Sequence, residues 1–175
     1  MVLMSDNDLA DTHEDLGMPG AELSDSADEM GSREATLTAE ATLAAFSGTW
    51  RLDPKQCVYQ DGDPPRSSTQ RIDIRDGRVI FHVESVLSDG WDVSYVLSRI
   101  PDSVERRHTD PMIADTLLTR VEGRVLETIS RRGGLITRHT VRTLSEDGSM
   151  LSVLQIGVNA NGQPFRNRSV YYRAL

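Results

Sequence analysis

The stretch RDGRVIFHVESVLSDGWDVSYVL, from Arg75 to Leu97, decides the fold. Asp76-Gly77 and Asp89-Gly90 are dipeptides suited to tight turns with positive φ, and alternation sorts the faces of the run between them with useful clarity. Val79, Phe81, Val83, Ser85 and Leu87 share one side, against Arg78, His82 and Glu84 on the other. After the second turn Trp91, Val93, Tyr95 and Leu97 oppose Asp92, Ser94 and Ser98. A period of two over two consecutive runs is the signature of half-buried antiparallel strands, with the apolar set turned inward.

Outward from that hairpin the punctuation continues with Glu122-Gly123, Gly133-Gly134, Asp147-Gly148 and Asn161-Gly162, between segments rich in Val, Ile, Leu, Thr and Tyr. The spacing predicts strands near 48–53, 67–75, 78–87, 91–100, 114–121, 124–131, 135–144, 149–158 and 164–173. That is enough for an all-β, closed antiparallel β-barrel of about eight strands, with an open sandwich as the competing arrangement. The segment from Pro101 to Ile113 reads as a short strand plus loop, and Pro54 to Pro65 as a long connection. Alternation places Leu135, Thr137, His139, Val141 and Thr143 inward against Arg138 and Arg142, and groups Leu151, Val153, Gln155 and Gly157 on one face. In the last strand Phe165, Asn167, Ser169 and Tyr171 oppose Arg166 and Arg168. For 124–131 the parity is ambiguous and Glu127 fits either face.

The N-terminal part is different in kind. Residues 1–46 hold eleven acids against Arg33 alone, a net −10, whereas the remainder holds sixteen acids and eighteen bases, a net +2. This divides the chain into an acidic arm with short helices, 1–45, and a mildly basic barrel, 46–175. Ser5 and Asp8 make a capping box for a helix whose Leu9, His13 and Leu16 fall at i, i+4 and i+7, with Gly17 and Pro19 as its stop. Leu23 and Met30 lie in a Ser/Asp/Ala/Gly linker, and Ser32 is placed to cap a second helix through Arg33–Ala45 with Leu37, Ala41 and Ala44 on one side. A helix of about twelve residues is marginal alone in water, so the Leu9/Leu16 stripe is expected to dock over the barrel mouth as a lid. Its own barrel or that of a second copy would serve, which leaves a homodimer open.

Composition excludes several classes. The net charge of −8 disfavours a nucleic-acid partner. No run approaches the ~18 apolar residues of a membrane span, and Met-Val-Leu-Met-Ser-Asp is unlike a secretory signal, so a cytoplasmic location is expected with no membrane contact. Cys57 is the only cysteine, which rules out an internal disulfide and reads as a half-buried thiol. His13, His82, His108 and His139 form no metal-ligand spacing, so no metal is expected, and the absence of a phosphate-cradling loop argues for no cofactor. Of nineteen bases only Lys55 is lysine, a bias that by itself marks no site.

What remains is an apolar interior with a few polar groups, the usual make-up of a small-molecule pocket. Phe81, Val83, Trp91, Val93, Leu97, Val141, Val153, Phe165, Asn167 and Tyr171 are its expected walls. Gln155, Tyr95 and His139 are the candidate polar groups, Gln155 first.

Gly48-Thr49-Trp50 resembles the Gly-x-Trp signature opening the first strand of lipocalin-like (calycin) barrels, and Arg173 after Tyr171-Tyr172 matches the basic residue that the family lays across that Trp. The turns Ser145–Gly148 and Asn159–Pro164 resemble those of compact bacterial lipocalin-like proteins. The Thr-Asp-Tyr element and disulfides of secreted lipocalins are missing. A barrel with a detached amphipathic N-terminal segment is further similar to the small bacterial spirotetronate-forming [4+2] cyclases. That resemblance implies a cofactor-independent enzyme closing a linear polyketide tetronate or tetramate to a spiro ring by shape and lid closure, with Gln155, Tyr95 or His139 polarising a carbonyl. The alternatives are a non-catalytic binding protein for an apolar small molecule, and a filled barrel whose arm binds another protein.

Overall fold

The computed structural model describes residues 40–110 and 114–174. Ten strands follow one another: β1 (Gly48–Leu52), β2 (Ser67–Arg75), β3 (Arg78–Val86), β4 (Asp92–Arg99), β5 (Arg106–Arg107), β6 (Thr116–Glu122), β7 (Val125–Arg132), β8 (Leu135–Leu144), β9 (Met150–Val158) and β10 (Pro164–Arg173). They form a single antiparallel sheet in the order β4-β3-β2-β1-β10-β9-β8-β7-β6-β5. Each turn dipeptide named from the sequence joins neighbours. Asp76 (φ +50) and Gly77 (φ +67) close the β2–β3 hairpin with both central residues at positive φ, which is why Asp-Gly stands there.

The sheet curls on itself. Phe81 on β3 carries the Arg142 guanidinium of β8 over its ring at 4.3 Å, although the two strands are five places apart in the sheet order. A continuous curled sheet replaces the two-layer sandwich. It also corrects the closed barrel of about eight strands: there are ten, and β4 and β5 are not hydrogen-bonded to each other among the described residues. The cause lies between them. Pro101 offers no backbone donor, Ser103 turns at φ +64, and Arg106 grips Asp102 through two 2.6 Å hydrogen bonds, so the chain bends away and only Arg106–Arg107 rejoins the sheet as β5.

One end of the curl is packed solid. Leu43, Phe46, Trp50, Ile72, Val79, Leu126, Leu144 and Leu151 are buried there in one cluster with Phe81, Val83, Val153 and Tyr171. The Trp50 indole N–H donates to the Phe46 carbonyl at 3.0 Å. Arg173 lies 4.2 Å over the Trp50 ring and donates to the carbonyls of Ser47, Ala45 and Gly148 at 2.6, 2.8 and 3.0 Å. One guanidinium thus ties two segments, 45–47 and the turn at Gly148, to the floor. Gly48 (φ +132) is required beneath it, because a Cβ there would stand 2.7 Å from Arg173 Nη1. The expected helix Arg33–Ala45 is described only for its end, where residues 40–44 are helical. Its inward residue is Leu43, and Ala41 and Ala44, expected on the buried side, are exposed.

The strand whose faces the sequence misassigns is β8. Ser130 pairs with Arg138 and Arg131 with Ile136, which leaves Thr137 without an opposite number. This one-residue bulge inverts every side chain after it. Thr140, Arg142 and Leu144 are therefore buried on the inner face, while His139, Val141 and Thr143 face out. The same register settles β7: Leu126 opposes Arg142 on the inside, and Glu127 points outward to Arg120 at 2.7 Å.

Candidate functional site

Inner-face positions of β2, β3, β4, β8, β9 and β10 converge above the packed floor. β3 supplies Phe81, Val83 and Ser85; β4, paired with it, supplies Leu97, Tyr95 and Val93 opposite those three residues. β10 supplies Tyr171, Ser169 and Asn167, and β9 supplies Val153 and Gln155. From β2 come Ser68 and Gln70, both buried.

At the centre stands Arg142. Its side chain is almost wholly buried, its neighbours in charge are the Tyr95 and Tyr171 hydroxyls and the Arg99 guanidinium, and among the described residues no carboxylate acts on it. Its Nε has no hydrogen-bond partner among the described residues, and neither has the Gln70 Oε1. Loss of water pulls its pKa down to about 10, which leaves it a cation at neutral pH. The π face of Phe81 offsets part of the desolvation cost, typically about 0.5–2 kcal/mol. Proteins seldom keep a buried charge without a counter-charge, because the cost is several kcal/mol.

Two phenols of the inner region are held protonated. Burial pushes Tyr171 up to about 12, partly countered by hydrogen bonding to Ser68 and Gln70. Tyr59 is raised for the same reason and shares a 2.8 Å hydrogen bond with Ser169. Both stay protonated at neutral pH and present O–H groups. Ser68 and Ser85 are joined at 2.8 Å. The arrangement is a cation beside the Tyr95 and Tyr171 hydroxyls, with Phe81, Val83, Leu97 and Val153 as apolar walls. It suits one acidic group on an otherwise apolar molecule.

The sequence-chosen residues divide as follows. Phe81, Val83, Val93, Leu97, Val153, Tyr171, Tyr95 and Gln155 lie on the inner face, and the Gln155 side chain makes no hydrogen bond among the described residues. Phe165 is buried with Arg138 5.9 Å from its ring centre. Asn167 is buried but occupied: it accepts from the amides of Gln60 and Asp61 and donates to the Asp61 carbonyl, pinning the 54–65 connection to β10. Trp91 is a correction. It precedes β4, is 73% exposed, and lines no inner wall. His139 and Val141 are corrections too, removed to the outer face by the bulge; His139 sits 3.6 Å from Glu127. The proposed lid residues Leu9, His13 and Leu16 lie outside the described residues. Cys57 is half-buried with its thiol donating to the Asp53 carbonyl. Among the described residues no group of His, Cys, Asp and Glu is arranged to hold a metal, and no helix is long and apolar enough to cross a membrane.

Sequence reading missed Arg142, Gln70 and Arg99. Two of them were within reach. Arg99 continues the alternation Val93, Tyr95, Leu97, and Gln70 continues Ile72 and Ile74 backwards along β2. Arg142 was hidden by the bulge.

No family model matches the chain, and no curated protein matches it. Among solved structures it is similar to zebrafish ileal bile acid-binding protein complexed with cholic acid, at 13% identity over 74% of this chain and 99% of that one, TM-score 0.46. It is similar also to the fatty-acid-binding protein of Manduca sexta, at 13% identity over 74% and 99%, TM-score 0.43. Bovine odorant binding protein matches at 17% identity over 76% and 73%, TM-score 0.41. At these identities and scores the architecture assigned to this chain stands on its own strand order and register.

Proposed function

We propose that the curled sheet binds a small molecule that is apolar along most of its length and acidic at one end, with the acidic group seated on Arg142. The observation that carries this reading is a buried guanidinium with no acidic partner among the described residues, with the Tyr95 and Tyr171 hydroxyls as its charge neighbours and an apolar wall about it. An anion delivered there regains for Arg142 the charge-assisted hydrogen bonds that burial removed, so the gain on binding is large. An uncharged ligand of the same shape gains only the apolar burial.

Two probes with one carbon skeleton separate these terms. 1-Anilinonaphthalene-8-sulfonate and N-phenyl-1-naphthylamine differ by the sulfonate alone, and both fluoresce on leaving water. The wild-type protein should bind the sulfonate at least tenfold more tightly, and Arg142→Met should erase that preference while keeping affinity for the neutral probe. Equal affinities in the wild type, or a preference that survives in Arg142→Met, would overturn the reading.

A second reading builds on the same geometry: a [4+2] cyclase acting on a linear polyketide with a tetronate or tetramate end. Such an end group is itself an acidic enol, which matches a buried cation, and the unengaged Gln155 amide lies on the same inner face to polarise a carbonyl. The cycloaddition needs no acid or base: two σ bonds form as two π bonds are consumed, and the product has the mass of the substrate. Held in a reactive fold, a chain of this kind gains up to about 7–11 kcal/mol from proximity. Incubation with a linear tetronate-capped polyene decides between the readings. A new isomer of unchanged mass formed at a rate dependent on protein supports the cyclase, and recovery of unaltered polyene leaves the binding protein.

A further inference from the structure

The opening between β4 and the β5–β6 hairpin is a cleft of about 390 Å³. Its outer lining holds Arg78, Arg106, Arg107 and His108; its deeper lining holds Arg99, Leu117 and Thr119. The last three belong to the inner face. Arg99 pairs with buried Val79, and Leu117 and Thr119 are themselves buried. The cleft therefore runs from the surface to the inside of the curl.

Its charge is strongly one-sided. Among the described residues, only Arg106 of its basic groups is met by a carboxylate, that of Asp102. Arg78 donates to the Ser98 hydroxyl at 3.3 Å and Arg99 to the Ser98 carbonyl at 2.8 Å, neutral acceptors that leave both charges standing. The Arg99 guanidinium is also close enough to Arg142 for the two to repel. At the floor, Leu43, Phe46 and Trp50 are packed in the core cluster and leave no way in.

Resting on the reading of Arg142 as the seat of an acidic group, we infer that this cleft is a lateral port, through which an anionic ligand is drawn from Arg78 and Arg107 past Arg99 to Arg142. A basic cleft with low-dielectric walls concentrates anions and raises their association rate by about tenfold or more. It does so without adding to the final contacts. The port should thus appear in the on-rate and its salt dependence, and leave the off-rate almost untouched.

Stopped-flow fluorescence with 1-anilinonaphthalene-8-sulfonate tests this. Wild-type association should slow at least fivefold between 20 and 300 mM salt (~10 Å screening length at 0.1 M). In Arg78→Ser/Arg107→Ser it should already be slow at low salt and nearly independent of salt, with dissociation unchanged within twofold. N-phenyl-1-naphthylamine should associate equally fast with both proteins, which also shows that the double variant is folded. Unchanged association of the sulfonate with the double variant, its salt slope intact, would overturn the port while leaving Arg142 as the seat. Loss of the sulfonate preference in equilibrium titration of the wild type is the separate result that removes the seat itself.

Discussion

Arg142 sets stability against binding. Its charge is buried beside a second guanidinium, and its pKa in the folded protein, about 10, lies well below the ordinary arginine value. The unfolded chain therefore holds its proton more firmly. Linkage gives the sign: from about pH 10 up to the ordinary arginine value the unfolded state binds more protons, so this group's contribution to stability rises with pH through that window, and its full penalty is felt below it. Arg142→Met removes the buried charge and keeps an unbranched side chain of similar reach against Phe81. The urea midpoint should rise at an unchanged slope, corresponding to about 1–2 kcal/mol of unfolding free energy after loss of the ring contact. Ligand binding runs the other way. Affinity for an anionic probe should fall as pH climbs through about 10, while a neutral probe is indifferent. Gly48 is the opposite kind of residue, with no function but geometry. Gly48→Ala forces a Cβ into a positive-φ backbone 2.7 Å from Arg173 Nη1, and should cost about 2–3 kcal/mol in urea unfolding. Both residues show how legible a single position is. Gly48, Trp50 and Arg173 announce themselves because their roles follow from residue type at a strand start and a strand end. Arg142 does not, since an arginine in an alternating strand reads as solvent-facing until the register is known.

At the scale of the element, legibility depended on whether a strand keeps its period. β2, β8 and β10 have the limits that spacing predicts, and alternation assigns the faces of β3, β4, β9 and β10 as observed, because each runs unbroken between its turns. β8 has the right limits and, beyond Thr137, the wrong faces. A bulge adds one residue without altering composition, and nothing in Leu135-Ile136-Thr137-Arg138 marks it. The long connection 54–65 shows the converse case, in which a side chain chosen as a pocket wall serves the backbone instead. Asn167 answers two amides and one carbonyl of that connection, and Val58 adds a backbone bridge to Arg168. Asn167→Ala leaves those groups without their partner, and should lower stability by about 1–3 kcal/mol. Limited proteolysis should then cut within residues 60–65 well before any global unfolding. If the Asn167→Ala protein binds the sulfonate probe as the wild type does, the division between Asn167 as a fastener and Arg142 as the seat is confirmed at once.

The whole molecule is a sheet sealed at one end and incompletely joined along one side, and its local stability should map that asymmetry. β1, β10, β9 and β8 each have hydrogen-bonded neighbours on both sides, and β1, β9 and β10 all contribute to the sealed floor through Trp50, Leu151 and Tyr171. β4 is held by β3 alone, and β5 by two residues of β6. Strands that open without breaking the core exchange their amide protons through low-energy local fluctuations, whereas central strands exchange only when the whole domain unfolds. The amides of residues 93–99 that face the gap, together with those of 106 and 107, should therefore exchange faster by about two to four orders of magnitude than those of residues 151–156 and 167–171. Adding an anionic ligand sharpens the expectation. Seated on Arg142 of β8 and packed against Leu97 of the gap-side strand β4, as proposed, it couples the well-held part of the sheet to its loose edge. Protection should rise along 93–99 in the presence of the sulfonate probe, and this rise should vanish in Arg142→Met even at probe concentrations that saturate the apolar walls. Uniform exchange across β4 and β9 would mean that the gap is bridged in solution, and would remove the physical basis for a side opening.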